Sequence, residues 1–171
     1  RVAKELEQPV YMKEVGNGIS PSVVKMLDKT PIAAIDVAGA GGTSWTAIES
    51  KRGSMDNQEL GERFWNVGIP TVPSILGAKK YSRKPIVGSG GVRSGQDILK
   101  CMILGCVLTS AAIPMILAQH AKGEKGISAH IETLRQEFRA GMFLAGAKNV
   151  NDLHGKKYYI FGKTREWMEQ L

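Results

Sequence analysis

The sequence predicts an α/β fold built on a parallel sheet. Short apolar runs alternate with helical stretches four times over. The runs are apolar in the manner of strands covered on both faces. Glycines and polar residues gather where each run ends and the next helix begins, which is where such folds keep their chemistry.

Residues 1–7 read as the tail of a helix, stopped before Pro9 because a residue ahead of proline is pushed out of the helical region. Residues 10–15 (VYMKEV) form the first expected strand. Gly16, Asn17 and Gly18 turn the chain. Ser20 and Pro21 then open a helix to about Asp28, with serine as cap and proline at the first position. Residues 32–37 (IAAIDV) give the second strand, and the glycine loop 38–43 follows directly. Residues 44–68 mix short helical pieces with polar residues and read as a long excursion. A helix is expected over 70–80, a third strand over 86–89 closed by Gly90 and Gly91, a helix over 94–104, and a fourth strand over 106–111. A short helix over 114–119 precedes a long one over 130–145, in which Ile131, Leu134, Phe138, Met142 and Ala145 share a face. The stretch 158–171 reads as a short strand and a final helix.

The chain has 171 residues and is 43% hydrophobic, enough for one compact core and unlike a disordered segment. No apolar run is long enough to span a bilayer, so no membrane partner is expected. Cys101 and Cys106 are spaced neither for a metal nor for a disulfide framework. They read as small core residues whose free thiols suit a cytoplasmic setting. The net charge of +7 is spread over scattered lysines and arginines with no interleaved aromatics. Nucleic acid is therefore not expected as a partner, and a phosphorylated small molecule fits better.

Four places carry chemistry. Lys13 lies inside a strand, where a cation must reach the mouth of the sheet or go unpaired. Gly39, Gly41 and Gly42 allow close backbone approach after the second strand, and Thr43 adds a hydroxyl. Gly91, Val92 and Arg93 stand between the third strand and its helix, where backbone amides and a guanidinium can hold an anion. One strand later Ala111, Ala112 and Ile113 form a second junction of small residues. Two consecutive junctions of this kind make the usual phosphate site of a (β/α)8 barrel, after strands 7 and 8. Trp45 and Glu49, four residues apart, would share a helix face as an aromatic plane beside a carboxylate. The alternative is a capping box from Thr46 to Glu49 with Trp45 in the core. His120, His130 and His154 lie away from the strand ends.

Together these motifs resemble one family. Lys13–Gly18 (KEVGNG), Asp36–Trp45 (DVAGAGGTSW), Ser89–Gly95 (SGGVRSG), Met142–Ala147 (MFLAGA) and Thr164–Trp167 (TREW) are similar, in the same order, to type 2 isopentenyl-diphosphate isomerase. The resemblance implies a flavin mononucleotide (FMN) barrel enzyme that interconverts isopentenyl diphosphate and dimethylallyl diphosphate without net redox change. It implies NADPH to reduce the flavin, Mg2+ on the diphosphate, a homo-oligomer and a cytoplasmic location. It also implies that Lys13 and Thr43 contact the flavin and that Gly91, Val92, Arg93, Ala111, Ala112 and Ile113 hold its phosphate. Trp45 would lie at the flavin face and Glu49 would act near the substrate. The family is longer than this chain. Residues 1–171 are thus expected to be part of a single FMN-binding barrel domain, its C-terminal half with strands 5 to 8. The N-terminal half and the metal ligands are expected outside it, and the segment alone is expected to be inactive. Other flavin barrels, such as hydroxy-acid oxidases, and a non-catalytic phosphate-binding half barrel are the competing readings.

Overall fold

The computed structural model describes residues 2–53 and 55–171, the side chains of residues 55–57 excepted. The readings that touch Arg1 and Ser54 lie outside the described residues there.

Four short strands form one parallel sheet: β1 (Tyr11–Lys13), β2 (Ala34–Asp36), β3 (Ile86–Gly88) and β4 (Leu108–Thr109), in the order β1-β2-β3-β4. The order never reverses, which separates this sheet from the doubly wound class, where a reversal makes the binding crevice. The four strands expected between residues 10 and 111 are present but shorter, because their flanks turn early into loops. The register places Lys13 opposite Asp36, Asp36 opposite Val87 and Val87 opposite Leu108. Side chains alternate along a strand, so these four stand at one level on one face.

The other face is packed by helices. Helix α1 (Val2–Glu5) precedes the sheet, and α2 (Pro21–Asp28) follows β1. Helices α3 (Trp45–Arg52), α4 (Met55–Arg63) and α5 (Thr71–Tyr81) lie between β2 and β3, and α6 (Gly95–Ile103) between β3 and β4. Val24 and Leu27 of α2, Ile75 and Ala78 of α5 and Cys101 of α6 enclose Ile35, Val37, Ile86 and Cys106 in one core. The two cysteines are core residues, as expected. The hydrogen bond that the Cys106 thiol donates to Cys101, together with burial, pushes the Cys106 thiol far up, away from the reactive thiolate form.

Helices α2, α5 and α6 start within a residue of where the sequence indicates. Ser20 caps α2 by accepting from the Val23 amide at 3.4 Å, with Pro21 behind it. Ser44, not Thr46, caps α3, accepting from the Ala47 amide at 3.3 Å, so the capping-box alternative for Glu49 is not used. The long excursion resolves into α3 and α4, tied by a bond from Trp65 Nε1 to Ser50 Oγ at 3.3 Å. The two helices expected after β4 merge into α7 (Ile113–Leu144), kinked at Lys122 and Gly123, where Gly123 takes φ 57°. Helix α8 (Gly162–Glu169) closes the chain as expected. The short strand expected from Tyr158 does not form: residues 158–161 have no regular secondary structure and pair with no strand among the described residues, and Tyr159 stacks on Phe161.

Candidate functional site

The loops after all four strands converge at the C-terminal end of the sheet. There they line a cleft of about 320 Å³. Each wall has a local cause.

After β1, the Glu14 carboxylate accepts from the amides of Gly16 at 2.5 Å, Asn17 at 2.6 Å and Gly18 at 3.2 Å, and this folds the turn. Gly16 is required twice over. It sits at φ 135°, and a Cβ there would lie 2.1 Å from the Thr43 carbonyl oxygen. That contact seats the β1 loop on the glycine loop and brings Lys13 and Thr43 into one wall. Lys13 Nζ donates to the Glu14 carbonyl at 2.8 Å and is otherwise exposed to the cleft.

After β2 and β3, two glycine loops pack backbone to backbone. A Cβ on Gly90 would meet the Gly39 carbonyl oxygen at 2.1 Å, and Gly90 itself takes φ 98°. The sequence reading assigned the glycines to approach by a ligand. Much of that approach is made by the loops to each other. The Gly39 amide donates to the Ser89 carbonyl at 2.9 Å, and Thr71 Oγ1 donates to the Gly90 carbonyl at 2.6 Å.

Beside this joint lies a set of free donors. The backbone amides of Gly91, Val92, Ala111, Ala112 and Ile113 have no acceptor among the described residues, and all five residues line the cleft. The neighbouring amides are different, and here the sequence expectation needs correcting. The α6 N-terminus is not open to an anion. Asp97 Oδ2 accepts from the amides of Arg93 at 3.1 Å and Ser94 at 3.2 Å, and Glu137 Oε2 accepts from Gly95 at 2.6 Å. Although burial raises the Asp97 carboxyl, its bonds from Ser94 and Arg93 outweigh that and hold it below the usual carboxylate range. The Arg93 guanidinium has no carboxylate partner among the described residues, and it lines the cleft.

On the remaining side, Trp45 and Ile48 of α3 face Ile113 and Ile116 of α7 across the opening. Nine of the ten residues expected at the site thus meet in one cleft: Lys13, Thr43, Trp45, Gly91, Val92, Arg93, Ala111, Ala112 and Ile113. Glu49 does not line it. Its carboxylate lies in an adjoining groove between α3 and α4 and pairs with Arg52 at 3.2 Å, both side chains exposed. None of the three histidines lines either space.

Sequence reasoning missed the groups that hold the walls in place: Glu14, Asp36, Ser89 and Glu137. Asp36 had a visible signal, since an acid inside an apolar strand must find hydrogen-bond donors. No set of three or more His, Cys, Asp or Glu side chains suited to a metal occurs among the described residues.

A family model described as FMN-dependent dehydrogenase matches residues 1–159. Among curated relatives, an isopentenyl-diphosphate delta-isomerase of Methanosarcina mazei is 39% identical over 173 residues, covering 99% of this chain and 47% of the relative. One of Archaeoglobus fulgidus is 37% identical over 169 residues, covering 98% and 48%. The chain spans about half the length of the curated relatives it matches. Among solved structures, a mandelate oxidase aligns with TM-score 0.67 at 21% identity, over 89% of this chain and 40% of that one. An (S)-mandelate dehydrogenase aligns with TM-score 0.70 at 14% identity, over 90% and 37%. At such identities the likeness shows a shared fold.

Proposed function

The chain belongs to the FMN-dependent dehydrogenase family, and from that premise we propose that it binds FMN and serves an isomerase that interconverts isopentenyl diphosphate and dimethylallyl diphosphate. The observation that carries this reading is the single cleft in which residues from four consecutive strand ends meet. The names of the curated relatives support the choice of reaction.

The cleft fits the cofactor. Five unpaired amides and one unpaired guanidinium suit a phosphate, and they sit on two adjacent strand ends. Lys13 and Thr43 suit the ring: a cation at its polar edge favours the anionic reduced form. Reduced FMN supplies a ring nitrogen able to exchange a proton with an alkene carbon. Trp45, Ile48, Ile113 and Ile116 give the prenyl chain an apolar wall and keep water from the reacting carbon. Glu49 takes part in proton transfer by turning from Arg52 towards the cleft. An exposed ion pair is worth about 0–1 kcal/mol, so leaving it costs little.

The four strands form half of a closed (β/α)8 barrel, as its strands 5 to 8, and the exposed edges of β1 and β4 pair with further strands. In support, among the described residues β1 pairs only with β2 and β4 only with β3. Tyr11 and Leu108 on those strands are 55% and 63% exposed. The Mg2+ that binds the diphosphate finds no donor set among the described residues. We assign its ligands to the part of the relatives that this chain does not match. NADPH as reductant, a homo-oligomeric assembly and a cytoplasmic location complete the proposal. The test is to purify the complete polypeptide, record the absorption of bound flavin, and follow isopentenyl diphosphate with NADPH and Mg2+ present. Dimethylallyl diphosphate should form; a flavoprotein that oxidises a hydroxy acid and forms none would overturn it.

A further inference from the structure

The least explained group beside the cleft is the carboxylate of Asp36. It is the last residue of β2, only 2% exposed, and has no cation within salt-bridge distance among the described residues. Oδ1 accepts from the Ala38 amide at 3.2 Å and from the Ser89 hydroxyl. Ser89 Oγ in turn accepts from the same Ala38 amide at 3.1 Å. Ser89 is 4% exposed and directly follows β3. One buried carboxylate therefore joins the ends of two strands in a closed triangle of bonds.

What leaves this triangle matters. Ala38 takes φ 32°, a left-handed conformation that L-residues with a Cβ adopt at a cost. The triangle holds it there. From Ala38 the chain runs to Gly42 and Thr43 in the cleft; from Ser89 it runs to Gly91, Val92 and Arg93 in the same cleft. The two arms thus diverge from one fixed point.

We propose that Asp36 is a positioning residue that fixes the span between a ring-binding arm and a phosphate-binding arm, so that a flavin mononucleotide satisfies both at once. The inference rests on the FMN reading above and adds a residue that touches neither ring nor phosphate. A joint of this kind acts on cooperativity between the arms. A ligand that uses one arm does not feel it, and a ligand that uses both loses affinity when it loosens, because the arms must then be ordered on binding.

Ser89→Ala in the complete polypeptide isolates the effect. It removes the side-chain link between the loops, and leaves the Asp36–Ala38 bond within the first and the backbone bond from the Gly39 amide to the Ser89 carbonyl between them. Affinities of the apoprotein for FMN and for riboflavin are measured by fluorescence quenching, with the thermal midpoint of the apoprotein alongside. The ratio of FMN to riboflavin affinity should fall by about tenfold, the scale of one lost charge-assisted hydrogen bond. Asp36→Asn keeps an acceptor oxygen in place and should hold the ratio within about threefold of the parent. If Ser89→Ala does not accumulate as soluble protein, Ser89→Cys, a weaker donor of similar size, carries the same test. A merely structural role would lower both affinities in proportion, leave the ratio unmoved, and overturn the proposal. A parent protein that binds no FMN would sink the flavin reading and this inference with it. Parent binding with an unmoved ratio would sink only the role of Asp36.

Discussion

Replacing Arg93 with alanine removes the one side-chain cation that the described residues place at the proposed phosphate end of the cleft, and its effect can be worked out from its surroundings. The amides that follow it at the start of α6 are already taken by Asp97 and Glu137. They cannot compensate for a lost guanidinium. A hydrogen bond to a charged group contributes about 1.5–3 kcal/mol. The Arg93 side chain is exposed, so solvent screening places its contribution near the lower end of that range. About 1.5 kcal/mol corresponds to about a tenfold rise in the FMN dissociation constant. Folding should change by less than about 0.5 kcal/mol, the usual effect of a surface substitution. The assay is titration of the apoprotein with FMN, repeated with riboflavin, which lacks the phosphate. The tenfold loss should appear with FMN alone and shrink as ionic strength rises from about 0.1 to about 1 M, where the screening length falls to about 3 Å. An unchanged FMN affinity, or an equal loss with riboflavin, would remove Arg93 from the phosphate site.

Gly90→Ala should destabilise the protein by about 3 kcal/mol or more in chemical denaturation, because the new Cβ meets backbone on a left-handed residue and nothing flexible can yield; a loss below about 1 kcal/mol would show that the loops are not locked. Glu49→Gln in the complete polypeptide should cut isomerase turnover by about 10²-fold, the scale of a lost proton-transfer group, with flavin still bound; normal turnover would return Glu49 to a surface ion pair. Asp97→Ala removes the α6 capping box and should cost about 1 kcal/mol at neutral pH. The Asp97 carboxyl is held below its ordinary value, so its stabilisation is full above about pH 4, and the gap between parent and variant should close as pH falls below that; a gap that persists at low pH would contradict the assignment. Residues 1–171 by themselves should self-associate and show no isomerase turnover, read by light scattering and product analysis, and a soluble monomer with turnover would refute the half-barrel reading.

Much of the site was legible in the sequence because it lies on strand ends, and strand ends are marked by abrupt changes in residue type. The step from Val37 into Gly39 and from Ser89 into Gly90 locates two walls to within a residue. Elements were harder. Residues 158–161 have the aromatic, β-prone composition of a strand, but strand formation depends on a partner with free backbone groups, and the composition does not supply one. The kink at Lys122 and Gly123 joined two expected helices into one axis-broken pair, which spacing alone does not indicate. The occupation of the α6 N-terminus was also hidden. Asp97 is visible as the third residue of a capping box, but Glu137 reaches Gly95 from 42 positions away, and no local pattern announces such a bond.

The placement of these walls has a consequence for how the site divides. The proposed phosphate end draws on the loops after β3 and β4, which are adjacent in the sheet and joined through the bond from the Ser110 amide to the Gly88 carbonyl at 3.1 Å. Its donors, its guanidinium and the carboxylates that fix their neighbours all belong to the described residues. The prenyl end is different. Its apolar residues are set on α3 and the first turn of α7, and Ile116 and Leu117 of α7 remain 65% and 62% exposed. Burying two such side chains contributes about 1.5–3 kcal/mol each, a large share of a net stability of about 5–15 kcal/mol. A segment that covered them would therefore stabilise the fold and close the apolar side of the cleft in one event. On the proposed reading, phosphate binding can precede such closure, because it asks nothing of the uncovered side, whereas exclusion of water from the substrate cannot.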